Sequence, residues 1–521
     1  MPGNAPKTSR HLEVERKFDV GESTVSPSFE GIAAVARVEK SPIQSLDAMY
    51  FDTPAHDLAR NKITLRRRTG GPDAGWHLKL PAGPDARTEV RAPLDASDEA
   101  TVPSQLLDVV LAIVRDRPLE PVARITTQRE NQVLYGVDGA ALAEFSNDHV
   151  TAWSAGTPGD GAPAEQQWRE WELELAENGA ADAELLNRLS NRLLDAGATP
   201  AGHGSKLARV LGETSPTNGT QAPEDPLHRA VADQVEQLLV WDRAVRADAP
   251  DSVHQMRVTT RKIRSLLRDA QDSSGSSGST DADWVQAELR ELAGVLGVAR
   301  DAEVLAERYQ RQLDELAPDL VRGRIRDRLV EGAHRRYQNG LRRSLAAMRS
   351  QRYFRLLDTL DSWVAEVAAP PAGEEPAPVT IDTAYKKVRK AAKAAKEAEA
   401  AEAAEEAEAA EPTEVPPEGN PDEALHRIRK RAKRLRYTAS ATGADKVAEQ
   451  AKAIQSLLGD HQDSVVSREH LIQQTEAAHV AGEDTFTYGL LFQREADLAD
   501  SCHQQLDAAL RKLAKAVKKA R

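Results

Sequence analysis

One helix pattern is written twice in this chain, and a duplicated element restricts the fold more than any single motif does. In VHQMRVTTRKIRSLLR, His254, Arg257, Arg261, Arg264 and Arg268 recur at i, i+3, i+7, i+10 and i+14. LHRIRKRAKRLRY repeats the first four positions as His426, Arg429, Lys433 and Arg436. That spacing stacks each set on one helix face. Lys262 in the first copy and Arg427, Lys430, Arg431 and Arg434 in the second add charge, and neither segment contains an Asp or Glu. Each copy is followed by a second motif, LGVARD ending at Asp301 and LGDHQD ending at Asp463, with Gly297 and Gly459 four residues before the acid. From His254 to Asp301 is 47 residues and from His426 to Asp463 is 37; a Ser/Gly run from Asp272 to Asp281 accounts for the excess. The pattern predicts an internal duplication with one loop insertion. A lone basic stripe describes ordinary solvated surface, but a duplicated one without neutralising acids points to a polyanion.

The second half resembles the CHAD family, over about residues 227 to 511, through this doubled His-x-x-Arg helix. The resemblance implies two pseudo-symmetric helical bundles with a basic groove between them that binds inorganic polyphosphate. It assigns that role to His254, Arg257, Arg261, Lys262, Arg264 and Arg268, and to His426, Arg429, Lys430, Lys433 and Arg436. Asp301, Glu303, Asp460 and Asp463 are expected to cap or brace the duplicated helices.

At 521 residues the chain is too long for one ordinary core, and 40% hydrophobic residues suffice for two. Composition changes near residue 213, and the segment from 213 to 226 reads as a linker. The Lys-rich and Ala/Glu-rich stretch from about 384 to 421 reads as a solvated spacer or disorder, and residues 512 to 521 as a basic tail that extends the cationic surface or frays. No segment approaches a membrane span, and MPGNAPKTSR lacks the apolar core of a signal peptide, so a cytoplasmic protein without membrane partners is expected. A single cysteine, Cys502, excludes a disulfide framework. The formal net charge of −13 argues against a general nucleic-acid binder. Positive charge is local, so its ligand should be local too.

The first half alternates charged and apolar residues. HLEVERKF puts Glu13, Glu15 and Lys17 on one face. KITLRRR does the same for Arg66 and Arg68 with Arg67 opposite, WHLKL for His77 and Lys79, and RTEVRA for Arg87, Glu89 and Arg91. ALAEFSND aligns Glu144, Ser146 and Asp148, and WELEL aligns Glu172 and Glu174. With DAMYFDT and ARITTQREN this makes about eight strands, the number that closes a small barrel. Helices at 104 to 116 and 183 to 197 are expected to cover its apolar outside. Alternation also fits an open sheet with its charged face in water. Sorting of acids (Glu13, Glu15, Glu144, Asp148, Glu172, Glu174) from bases (Arg66, Arg68, Lys79, Arg87, Arg91) instead suits an enclosed metal–triphosphate complex. His11, His56, His149 and His203 are read as surface or supporting residues.

Glu13-x-Glu15-x-Lys17, followed in order by LRRR, the Lys79 strand, the Glu144/Asp148 strand, WELEL and SKLAR with Lys206, resembles the CYTH family over about residues 10 to 211. The resemblance implies a triphosphate tunnel and Mg²⁺- or Mn²⁺-dependent hydrolysis of tripolyphosphate-type substrates. Glu13, Glu15, Glu144, Asp148, Glu172 and Glu174 would hold metal. Arg66, Arg68, Lys79, Arg87, Arg129 and Lys206 would grip phosphoryl oxygens, and Lys17 paired with Tyr50 would act in catalysis. Arg124 and Arg129 are an odd number apart, so a regular strand sends only one inward. The expected architecture is α+β multidomain: an antiparallel eight-stranded barrel with flanking helices at about 10 to 212, then an all-α duplicated bundle. The expected partners are tripolyphosphate, polyphosphate and polyphosphate granules, with no membrane partner; the alternatives are thiamine triphosphate hydrolysis, ATP cyclisation, or a non-catalytic polyphosphate scaffold.

Overall fold

A computed structural model describes residues 9–94, 101–154, 165–176, 182–212, 226–274, 280–365, 380–408 and 421–520. The linker at 213–225 and the centre of the Ser/Gly run, 275–279, lie outside the described residues. The chain divides into two compact units, Met1–Ala293 with Ser344–Pro370, and Gly294–Arg343 with Pro371–Arg521.

In the first unit the strands are β1 (Ser9–Val20), β2 (Arg37–Lys40), β3 (Gln44–Asp52), β4 (Thr64–Thr69), β5 (Gly75–Pro81), β6 (Ala86–Ala92), β7 (Glu120–Tyr135), β8 (Ala141–Ser154), β9 (Glu165–Leu175) and β10 (Thr199–Pro200). The order β1-β6-β5-β4-β3-β7-β8-β9 returns to β1 through antiparallel pairing of Glu15 with Glu174 and Lys17 with Glu172. The eight strands anticipated from alternation therefore form a closed ring, and short β2 and β10 pair onto its outside course. Closure removes the open-sheet reading, because it gives the charged face an interior to line.

Helices α1 (Asp57–Arg60), α2 (Ser104–Val114), α3 (Ala183–Asp195) and α4 (Lys206–Leu211) accompany the barrel. Three of them seal its apolar outside. Leu106, Val110 and Ile113 of α2 pack on Leu65, Trp76, Leu78 and Val90. Leu185, Leu189 and Leu193 of α3 pack on Phe18, Phe145, Trp171 and Leu173. Leu207 and Val210 of α4 pack on Ile125, Val150 and Trp168. Each fully buried large apolar side chain contributes about 1.5–3 kcal/mol relative to exposure, so the outer face drives assembly while the inner face is left to charge.

The remaining helices are α5 (Pro226–Arg246), α6 (Ser252–Ser274), α7 (Thr280–Asp314), α8 (Ile325–Ala347), α9 (Gln351–Ala365), α10 (Ile381–Glu408), α11 (Pro421–Ala441), α12 (Asp445–Val480) and α13 (Phe486–Ala520). The duplication is visible in burial. Met256, Thr260, Ile263 and Leu267 of α6 are buried, and so, at the same offsets from the histidine, are Ile428, Ala432, Leu435 and Ala439 of α11. The described part of the low-complexity stretch is not a spacer: α10 inserts Ala384, Val388 and Ala395 into a core shared with α11, α12 and α13. An apolar stripe at helical spacing outweighs the polar composition. The basic C-terminus is likewise part of α13, with Leu513 and Val517 buried. Asp301, Glu303, Asp460 and Asp463 lie inside the long helices α7 and α12, so none is a cap.

Candidate active site

The inward faces of the barrel enclose a cavity of about 520 Å³ whose lining includes Glu13, Glu15, Lys17, Tyr50, Arg66, Arg68, Lys79, Arg87, Arg129, Glu144, Glu172, Glu174 and Lys206. The register explains the convergence. Glu15 faces Glu174, and Glu174 in turn faces Glu144 across β8 and β9, so three carboxylates share one level of the barrel. Lys206 comes from outside the sheet: Ser205 caps α4 by accepting from the Ala208 amide, which fixes the first helical turn against the barrel.

Acids and bases interlock. Lys17 donates to Glu15 at 2.7 Å and to Glu172 at 2.6 Å. Lys206 lies 2.8 Å from Asp148, 2.7 Å from Glu170 and 2.8 Å from Glu172. Arg129 makes a two-pronged contact with Asp148 at 2.8 and 2.6 Å and also reaches Glu172. The phase question is thereby settled: Arg129 points inward, whereas Arg124 is half-exposed and pairs with Asp47. Arg87 donates to the Gly204 carbonyl at 2.6 Å, Arg66 donates to the Tyr50 hydroxyl at 3.3 Å, and Lys79 pairs with Glu13. Tyr50 is therefore bonded to Arg66, while Lys17 is bonded to Glu15 and Glu172, in place of the expected lysine–tyrosine pairing. Arg67 points away from the cavity, as the alternation requires.

Burial raises a carboxylate pKa and neighbouring cations lower it, so each group reports which influence prevails. Burial alone would raise Glu15, but Lys17 and Lys79 outweigh it and hold the carboxyl at about 2. Burial is likewise overcome at Glu172 by Lys17, Lys206 and Arg129, and at Asp148 by Arg129 and Lys206. Glu174 behaves oppositely. Burial, with Glu13, Glu15 and Glu144 adding negative charge against only Lys79, pushes it up to about 7. Burial also raises Glu13 and Glu144. Glu144 and Glu174, raised by burial, without an ion pair among the described residues and offering only oxygen donors, fit a hard divalent cation. Asp148, Glu170 and Glu172 also bring one oxygen each within 4.8 Å of one another, with Lys206 presently answering their charge.

Glu170, Glu89 and His11 stand beside the site without having been given a binding role from sequence. Glu170 shares the inward face with Glu172 and Glu174 and binds Lys206, so the same alternation carried the signal. Glu89 accepts from buried His77 at 2.8 Å and contacts His11 at 2.9 Å. His11 thus lines the cavity and is not a surface residue.

The two cationic helices are each described within their own unit. On α6, His254, Arg257 and Arg264 are partly buried and Arg261, Lys262 and Arg268 exposed. Burial together with the like charges of Arg290 and Arg268 lowers the Arg264 pKa. On α11, His426, Arg429, Lys433 and Arg436 are partly buried, with Lys430 exposed. Arg436 donates to Gln455 at 3.2 Å. A Cβ at Gly459 would stand 3.2 Å from the Arg429 guanidinium, which explains the glycine of the second motif: it lets the arginine cross α12 closely. Burial, then Lys430 and Arg429, lowers the His426 pKa.

Two known domains match the chain by sequence profile, the CYTH domain over residues 11–191 and the CHAD domain over residues 229–472. The chain is a CYTH–CHAD protein. CYTH domains are triphosphate tunnel metalloenzymes, and CHAD domains are associated with polyphosphate. Proteins of Mycobacterium tuberculosis, from strains CDC 1551 and H37Rv and described as uncharacterized, are each 72% identical over 530 residues, covering all of both chains. Among solved structures, PptA from Streptomyces chartreusis is 18% identical, covers 56% of this chain and 100% of its own, and has a TM-score of 0.40. The CHAD domain from the plant Ricinus communis is 23% identical, covers 55% of this chain and 90% of its own, and has a TM-score of 0.38. Among the described residues no helix is long and apolar enough to cross a membrane.

Proposed function

We propose that the CYTH tunnel hydrolyses inorganic tripolyphosphate with Mg²⁺ or Mn²⁺, and that the CHAD helices bind inorganic polyphosphate through the basic faces of α6 and α11, in the cytoplasm or on polyphosphate granules. The observation that carries the tunnel reading is an enclosed barrel interior lined by buried carboxylates, with Glu174 pushed up to about 7, together with Arg66, Arg68 and the paired cations. Glu13, Glu15, Glu144 and Glu174 would hold the cation, with Asp148 and Glu172 available once their arginine and lysine partners turn to substrate. When bound, such a cation neutralises phosphoryl oxygens and makes water a better nucleophile. Arg66, Arg68, Arg129 and Lys206 supply fixed positive charge for the phosphoryl chain, and Lys79 and Arg87 extend it. Lys17, held between Glu15 and Glu172, is kept protonated and placed to neutralise the transferred group. Tyr50 alone among Phe, Tyr and Trp side chains lines the cavity, and it is engaged by Arg66. Among the described residues the wall therefore offers only the small His11 ring beside Tyr50 on which to stack a base or thiazole, which favours an inorganic substrate over ATP or thiamine triphosphate. Phosphate release from tripolyphosphate, thiamine triphosphate and ATP, with and without each metal, tests this reading; equal release from all three would reject the inorganic preference, and none would favour a binding scaffold.

A further inference from the structure

We propose that Asp73 is a built-in competitor of the substrate: its carboxylate occupies a phosphate position on Arg68, and a triphosphate binds by displacing it. The inference rests on the tunnel reading given above. Asp73 lies in the turn between β4 and β5 and lines the cavity together with Pro72. Gly70 and Gly71 start that turn with φ of 77° and 75°, and a Cβ at Gly70 would stand 2.1 Å from the Ser45 carbonyl oxygen. The turn therefore folds down onto the start of β3 in a way other residues would obstruct. This brings the Asp73 carboxylate into an ion pair with Arg68.

The two partners differ in freedom. The Arg68 side chain is 6% exposed and that of Asp73 33%. Arg68 belongs to the cavity wall; Asp73 can leave it for water. The backbone of Asp73 is placed separately, by the positive φ of Gly70 and Gly71 before it, and its carbonyl lies 2.9 Å from Nε2 of His77, which is 1% exposed. The carboxylate can thus swing away while the turn stays in place.

Charge supplies the reason for the arrangement. Burial, reinforced by Arg66 and Arg129, destabilises the Arg68 cation and brings its pKa down to about 9. Arg66 has only the neutral Tyr50 hydroxyl as its hydrogen-bond partner among the described residues, whereas Arg129 is answered by Asp148 and Glu172. An anion at Arg68 relieves this crowding, and Asp73 provides one until a phosphate arrives. A simple turn-locking role would not place the carboxylate on a guanidinium inside the cavity, since Gly70 and Gly71 and the close approach to the Ser45 carbonyl already set the turn.

The test is calorimetric binding of tripolyphosphate to the full-length protein in EDTA, where no metal-dependent turnover intervenes. Asp73→Asn keeps the side-chain shape but removes the competing charge, and should tighten binding by roughly five- to thirtyfold. Asp73→Ser should act in the same direction, and Asp73→Glu, which restores the anion, should lie closer to wild type than either. Arg68→Ala should weaken binding. If Arg68→Ala weakens binding while both neutral Asp73 variants bind no more tightly than wild type, the competitor role is wrong and Asp73 only shapes the turn. If Arg68→Ala binds like wild type, the tunnel reading beneath the proposal fails instead.

Discussion

The barrel and the paired basic helices both gather positive charge, but they balance it differently. Inside the barrel most cations face a carboxylate: Lys17 faces Glu15 and Glu172, Lys206 faces Asp148, Glu170 and Glu172, and Arg129 faces Asp148 and Glu172, while Arg66 meets the Tyr50 hydroxyl. On α6 and α11 the neighbours that perturb Arg264 and His426 are chiefly other cations, Arg290 and Arg268 in one case and Lys430 and Arg429 in the other. The first arrangement is a fixed, enclosed lattice of both signs, suited to a short substrate that arrives with a metal. On each basic helix like charges gather close together, an arrangement suited to a polyanion. The proposed chemistry falls to the first and the proposed salt-sensitive retention to the second.

The largest expected effect lies in the enclosed lattice. Glu15→Gln and Glu174→Gln in the full-length protein should each lower tripolyphosphate turnover by roughly 10²–10⁴-fold with an unchanged melting profile, because each removes a metal-side charge at nearly constant volume. Turnover near wild type in both would break the metal assignment. Next in size, Arg66→Ala and Arg68→Ala should reduce kcat/KM by roughly 10–100-fold, with Lys restoring part, while Arg67→Ala stays within about threefold. A ranking led by Arg67 would mean the β4 phase is wrong.

Salt separates the two regions. Raising NaCl from about 0.05 to 0.5 M should weaken long-chain polyphosphate binding by roughly 10²-fold or more, through loss of the counterion-release gain. Tripolyphosphate hydrolysis, shielded inside the barrel, should change much less. Equal salt slopes, measured by filter binding and by phosphate release, would erase the distinction.

The smallest effect is a pH slope on the helical side. Lys430 and Arg429 help hold the His426 pKa below its ordinary value, so a bound polyanion that neutralises them should raise it and take up a proton. Affinity should therefore rise a few-fold as pH falls from about 8 to about 5.5. His254→Ala/His426→Ala should flatten this slope; a slope unchanged in the folded double variant would remove the histidines from binding.

Much of the barrel was legible because a strand has period two. Alternation put Glu13, Glu15, Glu144, Asp148, Glu172 and Glu174 each on the charged face of its strand, the sorting of acids from bases favoured enclosure, and the β1–β9 pairing closes the ring. The same rule reaches Glu170 and Glu89, whose importance emerges only when Lys206 and His77 are seen against them. Asp73 has no such signal: it sits in a turn, and only the fold shows that the turn bends onto Arg68. Tyr50 illustrates a different limit, since a shared inward face does not decide which cation a hydroxyl meets. On the helical side, low complexity concealed the Ala384, Val388 and Ala395 stripe of α10. The motif acids Asp301 and Asp463 were expected to cap or brace the helices, and capping is excluded because α7 and α12 run 35 and 36 residues and enclose them.

The central claim is that the enclosed lattice does chemistry on an inorganic triphosphate. Its most direct test is phosphate release from tripolyphosphate by the purified full-length protein, titrated with Mg²⁺ or Mn²⁺ and then quenched with EDTA. The account predicts release that requires the metal, stops on chelation and is abolished in Glu174→Gln. Absence of release at any metal concentration, from a folded protein that still binds tripolyphosphate, would contradict it.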